Sequence, residues 1–158
     1  MGFYAVVLLC LTVTTQCLEA QQITVAADSG KITVLERSDI ERLPHVKFNE
    51  SNSAGSSVLE GVALRGVLEK AGVRFGESLK GKRLASCLMI EGRDGYRVLF
   101  ALPELDAAFT SKQVLLVFLR NGKPLVDDEG PYRIAVPDET RKARWVRQVK
   151  RLSILEVL

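Results

Sequence analysis

The sequence predicts a mixed α/β domain of the α+β class, with more strand than helix. Three observations carry that prediction. Short β-branched apolar runs such as ITVAA, KITVLE, QVLLVFL and YRIAVP recur along the chain, each bounded by Gly, Pro, Asn or Asp. Asn121-Gly122 is a strong two-residue hairpin signal. ALRGVLEKAGV is the clearest helix, because Leu64, Val67, Leu68 and Ala71 fall at i, i+3, i+4 and i+7 and make one apolar face.

The elements follow in order. ITVAA and KITVLE flank the turn residues Asp28-Ser29-Gly30 and predict an opening hairpin. Ser38 and Glu41 have capping-box spacing, which predicts a short helix running through Leu43 and ending before Pro44. HVKF reads as a strand, and the polar stretch NESNSAGSS as a loop or wide turn. The helix of ALRGVLEKAGV stops at Gly72, and Gly66 inside it is about 1 kcal/mol less favourable than alanine. LASCLMI is an apolar run that Gly92 to Gly95 turns into YRVLFAL, where Tyr96, Val98 and Phe100 alternate. Pro103 breaks that strand and suits the first turn of a short helix, PELDAAF. QVLLVFL is continuous and apolar, the pattern of a strand buried on both faces. YRIAVP and RLSILEV are the last strands.

The chain has 158 residues, 47% hydrophobic and 26% charged, which suits one domain with a real core. FYAVVLLCLTVTT has the length of a signal-peptide apolar region and is short for a bilayer span. Ala20 offers a small residue before Gln21, so residues 1–20 are expected to be a signal peptide and 21–158 the exported domain, in a bacterial periplasm or secreted. A short uncleaved anchor is the alternative, since no Lys or Arg precedes the apolar run. Removal of that segment takes Cys10 and Cys17 with it and leaves Cys87 alone, so no internal disulfide forms and the core must supply the stability. The net charge of +3 becomes one unit more positive as Glu19 is lost. The basic residues crowd the C-terminal quarter: Arg133, Arg141, Lys142, Arg144, Arg147, Lys150 and Arg151. Nucleic acid is not the expected partner, because this segment has Trp145 as its one aromatic and export would remove it from nucleic acid.

A DGY turn and strand, then LPEL, a hydrophobic strand leading to NGKPL, GPYRIAVP and ARWVRQV occur in a fixed order. In that order they resemble the molybdopterin-binding domain of the sulfite oxidase family, from near Ile23 to the C-terminus. The resemblance implies the fold of that domain, a pterin with a terminal phosphate that chelates molybdenum through its dithiolene, and oxygen-atom transfer in the catalytic members. Those members also supply a cysteine to the metal, from the stretch before the helix. Here that stretch, HVKFNESNSAGSSVLEGV, contains no cysteine, and Cys87 lies on the other side of the helix. Glu129 stands before Gly130, where the enzymes often place histidine. No residue is assigned as catalytic or as a metal ligand.

Arg133 and Arg144 occupy basic positions of the family motifs, and Arg141 and Lys142 lie just before Arg144. The planar, permanently charged guanidinium suits a phosphate, so these four are the candidate binding residues for a pterin or another anionic small molecule. The alternative is a basic edge paired with Asp127, Asp128, Asp138 and Glu139. Trp145 reads as a core anchor, Cys87 as a small inert hydrophobe, and His45, the one histidine, as a strand-edge residue. Three functions stay open: an exported domain that binds a molybdopterin-type ligand, a cofactor-free binding or interaction module with a protein partner in the cell envelope, and an oxidoreductase whose molybdenum is held by the pterin alone.

Overall fold

The computed structural model describes residues 21–52, 55–126 and 128–156. The signal-peptide expectation for residues 1–20, with Cys10 and Cys17, and the pairing proposed for Asp127 lie outside the described residues. No described helix is long and apolar enough to cross a membrane.

Two five-stranded sheets hold the chain together. Sheet A has the order β2 (Ile32–Leu35), β1 (Ile23–Ala26), β10 (Val149–Leu155), β5 (Cys87–Gly92) and β6 (Arg97–Ala101). Within it β1 and β10 run parallel, and every other pair is antiparallel. Sheet B runs β3 (His45–Asn52), β4 (Gly55–Ala63), β7 (Leu115–Arg120) and β8 (Lys123–Pro124), with β9 (Arg133–Ala135) also on β7. The first and last strands of the domain therefore lie side by side, which ties the two ends of the described chain together. The mixed, strand-rich architecture expected from the sequence is observed.

The side-chain period of two sets which residues meet the core. Ile23 and Val25 of β1, Leu152 and Ile154 of β10, Leu88 and Ile90 of β5, and Phe100 of β6 are buried on one face of sheet A. Leu115 to Phe118 are all buried, as a strand covered on both faces requires. Helix α2 (Leu64–Lys70) turns Leu64, Val67 and Leu68 into the same core and ends at Gly72, whose φ of 98° only glycine adopts without strain. Asn121 and Gly122 both have positive φ, 50° and 74°, as the twist-matched hairpin turn demands.

Three local expectations need correction. The stretch NESNSAGSS is mostly strand: β3 runs to Asn52 and β4 restarts at Gly55, in register from His45↔Val62 to Asn52↔Gly55. Polar residues extend a hairpin when the ladder satisfies their backbone groups and their side chains alternate between solvent and protein. Helix α1 (Arg37–Glu41) is capped two residues earlier than the Ser38–Glu41 spacing suggests, with the Glu36 N–H donating to the Asp39 carboxylate at 3.3 Å. PELDAAF gives only a single 3-10 turn, Leu102–Leu105, because the Asp106 carboxylate captures the Ala108 N–H at 3.0 Å and the Gly76 N–H at 2.8 Å. Those bonds, with Arg65 Nη1 at 2.6 Å, fix a carboxylate that is only 1% exposed.

Candidate functional site

The long β3–β4 hairpin places Glu50 opposite Ser57. Along β3, Val46, Phe48 and Glu50 alternate onto the inward face, so a carboxylate follows two apolar side chains into the protein. Four other segments meet it there. The end of β7 contributes Arg120, the chain after β8 contributes Glu129, and β9 begins with Arg133 beside Val117 of β7. The 3-10 turn Lys142–Arg144 brings Lys142.

Their bonds form one network. Arg120 Nη1 donates to Glu50 Oε2 at 3.0 Å and to Ser57 Oγ at 2.6 Å. Arg120 Nη2 donates to Glu129 Oε2 at 2.9 Å. Arg133 Nη1 donates to Glu129 Oε1 at 2.8 Å, and its Nη2 to Glu50 Oε1 at 3.2 Å. Lys142 Nζ donates to the same Glu50 oxygen at 2.7 Å. Glu50 thus carries three cations on one carboxylate that is 4% exposed. Trp145, the expected core anchor, is buried, packs edge-on against Phe48 and has both Arg133 and Lys142 over its ring, at 5.0 and 4.9 Å from the centroid.

Two donors in this cluster lack a hydrogen-bond partner among the described residues. Arg133 Nε and Trp145 Nε1 are both buried and unbonded. A cleft of about 300 Å³ opens beside the network, lined by Arg120, Asn121, Lys123, Leu125 and Glu129 among others.

The four candidate residues therefore have different fates. Arg133 and Lys142 meet at Glu50. Arg144 points elsewhere: it pairs with Glu139 and with Glu104 at 3.0 Å, and stacks 4.1 Å over Phe100. Arg141 is exposed and has no ion pair among the described residues. Of the acids proposed as partners, Glu139 pairs with Arg144, whereas Lys142 takes Glu50. Sequence reasoning missed Glu50, Arg120 and Ser57. A signal for Glu50 was present, since the alternation of Val46 and Phe48 carries on to it. Cys87 opens β5 and is half-buried. Among the described residues no group of three or more His, Cys, Asp or Glu side chains is arranged to hold a metal ion.

Burial alone would raise the Glu50 carboxyl, yet the Lys142 hydrogen bond and the charges of Arg133 and Arg120 outweigh it and hold it below the usual carboxylate range. Asp106 is likewise lowered, first by the Ala108 N–H and then by the Gly76 N–H and Arg65. A depressed folded pKa contributes stability that is present above the unfolded value and lost as pH falls through the folded one. Both unfolded values lie near 4, so the loss is expected below about pH 4. His45 shifts the other way, raised mainly by its hydrogen bond to Glu60 and then by the Glu41 carbonyl. Its contribution is present below about pH 6.5 and fades as pH rises through the raised value. Circular dichroism against pH is expected to show a plateau near pH 5 to 6, with the steep loss on the acid side below about pH 4.

Larger clefts lie away from this network. Two, of about 350 and 520 Å³, share Val46, Ala63 and Arg65, the last of which is ion-paired with Asp106.

Comparison with known proteins places this geometry in context. The family described as oxidoreductase molybdopterin binding domain matches residues 11–157. The chain is 32% identical over 116 residues to the inducible nitrate reductase (NADH) 1 of Glycine max, covering 70% of this chain and 13% of that protein. It is also 32% identical over 101 residues to the nitrate reductase (NADH) of Hordeum vulgare, covering 60% of this chain and 11% of that protein. The sulfane dehydrogenase SoxCD from Paracoccus pantotrophus matches with a TM-score of 0.65 at 20% identity, over 86% of this chain and 38% of that one. That last likeness is one of fold.

Proposed function

We propose, because the chain belongs to the oxidoreductase molybdopterin binding domain family, that it is a cofactor-free member of it, exported and used as a binding or interaction module in the cell envelope. One observation carries this reading. Glu50 sits where Arg120, the Arg133 of GPYR and Lys142 converge, and accepts from all three. A phosphate needs those same donors. Brought into the cluster, it would face the Glu50 and Glu129 carboxylates, and like charges at such range repel by several kcal/mol where water is excluded. The residues as arranged do not fit the anionic end of a pterin, so no reaction step is derived through one. The stretch HVKFNESNSAGSSVLEGV, without cysteine, points the same way.

A second reading, a bound molybdopterin-type anion, draws on Arg133 Nε and Trp145 Nε1, which have no hydrogen-bond partner among the described residues. Buried N–H groups favour an acceptor. The two readings separate on the protein purified from a cell that makes the molybdenum cofactor, by mass spectrometry for molybdenum and fluorescence of released, oxidised pterin. The proposal expects neither above trace levels. Molybdenum and pterin in equal, near-stoichiometric amounts would replace it with the second reading.

A further inference from the structure

His45 is the chain's one histidine, and both of its ring nitrogens are in use. Nδ1 lies 2.7 Å from Glu60 Oε1 on β4, and Nε2 lies 2.9 Å from the Glu41 carbonyl oxygen at the end of α1. A carbonyl oxygen can only accept, and so can an ionised carboxylate. A neutral imidazole has one N–H and one lone pair, so it satisfies one of these oxygens and turns the lone pair on the other. Both contacts are hydrogen bonds only when the ring carries two protons as an imidazolium.

The surrounding charges leave that choice to the two bonds. On α1, Glu41 pairs with Arg37 at 2.6 Å, and on β3, Lys47 meets the second oxygen of Glu60 at 3.2 Å. Each acid near the ring therefore has a cation of its own. Arg37 also lies 6.0 Å from the centroid of the Phe118 ring on β7, and the His45 ring meets the same phenyl at 5.4 Å, with the planes at 76°. Phe118 supplies packing and no acceptor.

We propose that His45 is a pH-operated latch: charged, it ties the end of α1 to the β3–β4 hairpin, and on losing a proton it lets go of the Glu41 carbonyl and frees residues 42–44. The bond to the Glu60 carboxylate is charge-assisted and the stronger of the two, so the remaining proton stays on Nδ1. The Nε2 lone pair then faces a carbonyl of the last helical turn, which has no partner within the helix to fall back on. Leu43 and Pro44 line the cleft of about 520 Å³ together with Gly66, Glu69 and Lys70 of α2, and a Cβ on Gly66 would stand 3.7 Å from Leu43 Cδ1. Release therefore loosens this cleft. Ile40, fully buried, and the Asp39–Lys70 pair at 3.6 Å keep α1 docked, so the change is local and not an unfolding. With the His45 pKa raised, first by the bond to Glu60, the latch holds below the raised value and opens as pH rises through it. None of these groups belongs to the Glu50 network, so the latch is independent of whether a pterin is bound.

Nuclear magnetic resonance on the purified chain from about pH 5.5 to 9 tests the proposal, with one imidazole to follow. The ring is expected to titrate above about 6.5. The Glu41 carbonyl carbon should move upfield and the Leu43 methyl order parameters fall, both with the imidazole's midpoint. His45→Gln, which carries no charge, should leave Leu43 mobile at both ends of the range. Glu60→Gln should do the opposite. Its amide can turn its N–H to Nδ1, so a neutral ring keeps its proton on Nε2, holds the Glu41 carbonyl at every pH and titrates lower than in wild type. A ring that titrates at or below about 6.5 in wild type overturns the proposal. So does a Leu43 whose order is unchanged through the titration, or a Glu60→Gln variant that keeps the wild-type loss of order at high pH.

Discussion

Glu50→Ala is expected to lower unfolding stability by about 3 kcal/mol, read as a shift in urea midpoint. The reason is the uncompensated charge it leaves. Removing one partner of a buried ionic network is destabilising by roughly 3–5 kcal/mol, because the remaining charges lose their counter-ion without regaining water. Arg133, 7% exposed, bears most of that loss. The value falls at the lower end because Glu129 still holds Arg120 and Arg133, and because the Lys142 side chain is 41% exposed and can turn to solvent. As pH falls below about 4 wild type and variant should begin to converge, and the convergence completes as pH passes through the lowered folded value at which the native carboxylate is protonated. A midpoint unchanged at pH 7 would mean that Glu50 is not the counter-ion these cations rely on.

Gly61→Ala is expected to be similarly severe, at roughly 3 kcal/mol, through backbone crowding rather than charge. Gly61 lies on β4 between β3 and β7, at a register shift after Glu60. An added Cβ would stand 2.2 Å from the Leu116 carbonyl oxygen and 2.6 Å from the Val117 Cα. Both are backbone atoms in the buried part of β7, so neither can swing aside, and β4 must separate from β7 to relieve the contact. Gly66 in α2 makes the contrast, because a Cβ there would meet only the Leu43 side chain, at 3.7 Å. If urea unfolding finds Gly61→Ala as stable as wild type, the close approach of these two strands is not as described.

The fold was largely legible because its signals are local. Alternation in ITVA, continuity in LLVFL and the Asn-Gly pair each correspond to an observed strand or turn. The polar β3–β4 hairpin was not, since Asn and Ser are weak strand formers and only the ladder to β4 overrides that preference. The site was legible in part. Arg133 and Lys142 announced themselves as cations, but their partner Glu50 is 83 residues from Arg133 in sequence. No spacing rule reaches that far, and the topology that brings β3 beside β4 and β9 beside β7 is needed to join them. Arg144 stands out by its match to the basic position of the family motif RW, and Arg141 and Lys142 by lying just before it, yet a 3-10 turn sends neighbouring side chains in different directions, and Arg144 leaves for Glu104 and Glu139.

That Glu50 fills the place of an anionic ligand is tested most directly by titrating inorganic phosphate into wild type and Glu50→Ala by isothermal calorimetry at low ionic strength. Wild type is expected to show no saturable binding at millimolar phosphate. The alanine variant, with Lys142 released and Arg120 and Arg133 each relieved of one of their two carboxylates, should bind at least tenfold more tightly, a difference of about 1.4 kcal/mol or more. Saturable phosphate binding to wild type with an affinity equal to the variant's would contradict the assignment and restore the cluster as an open anion site.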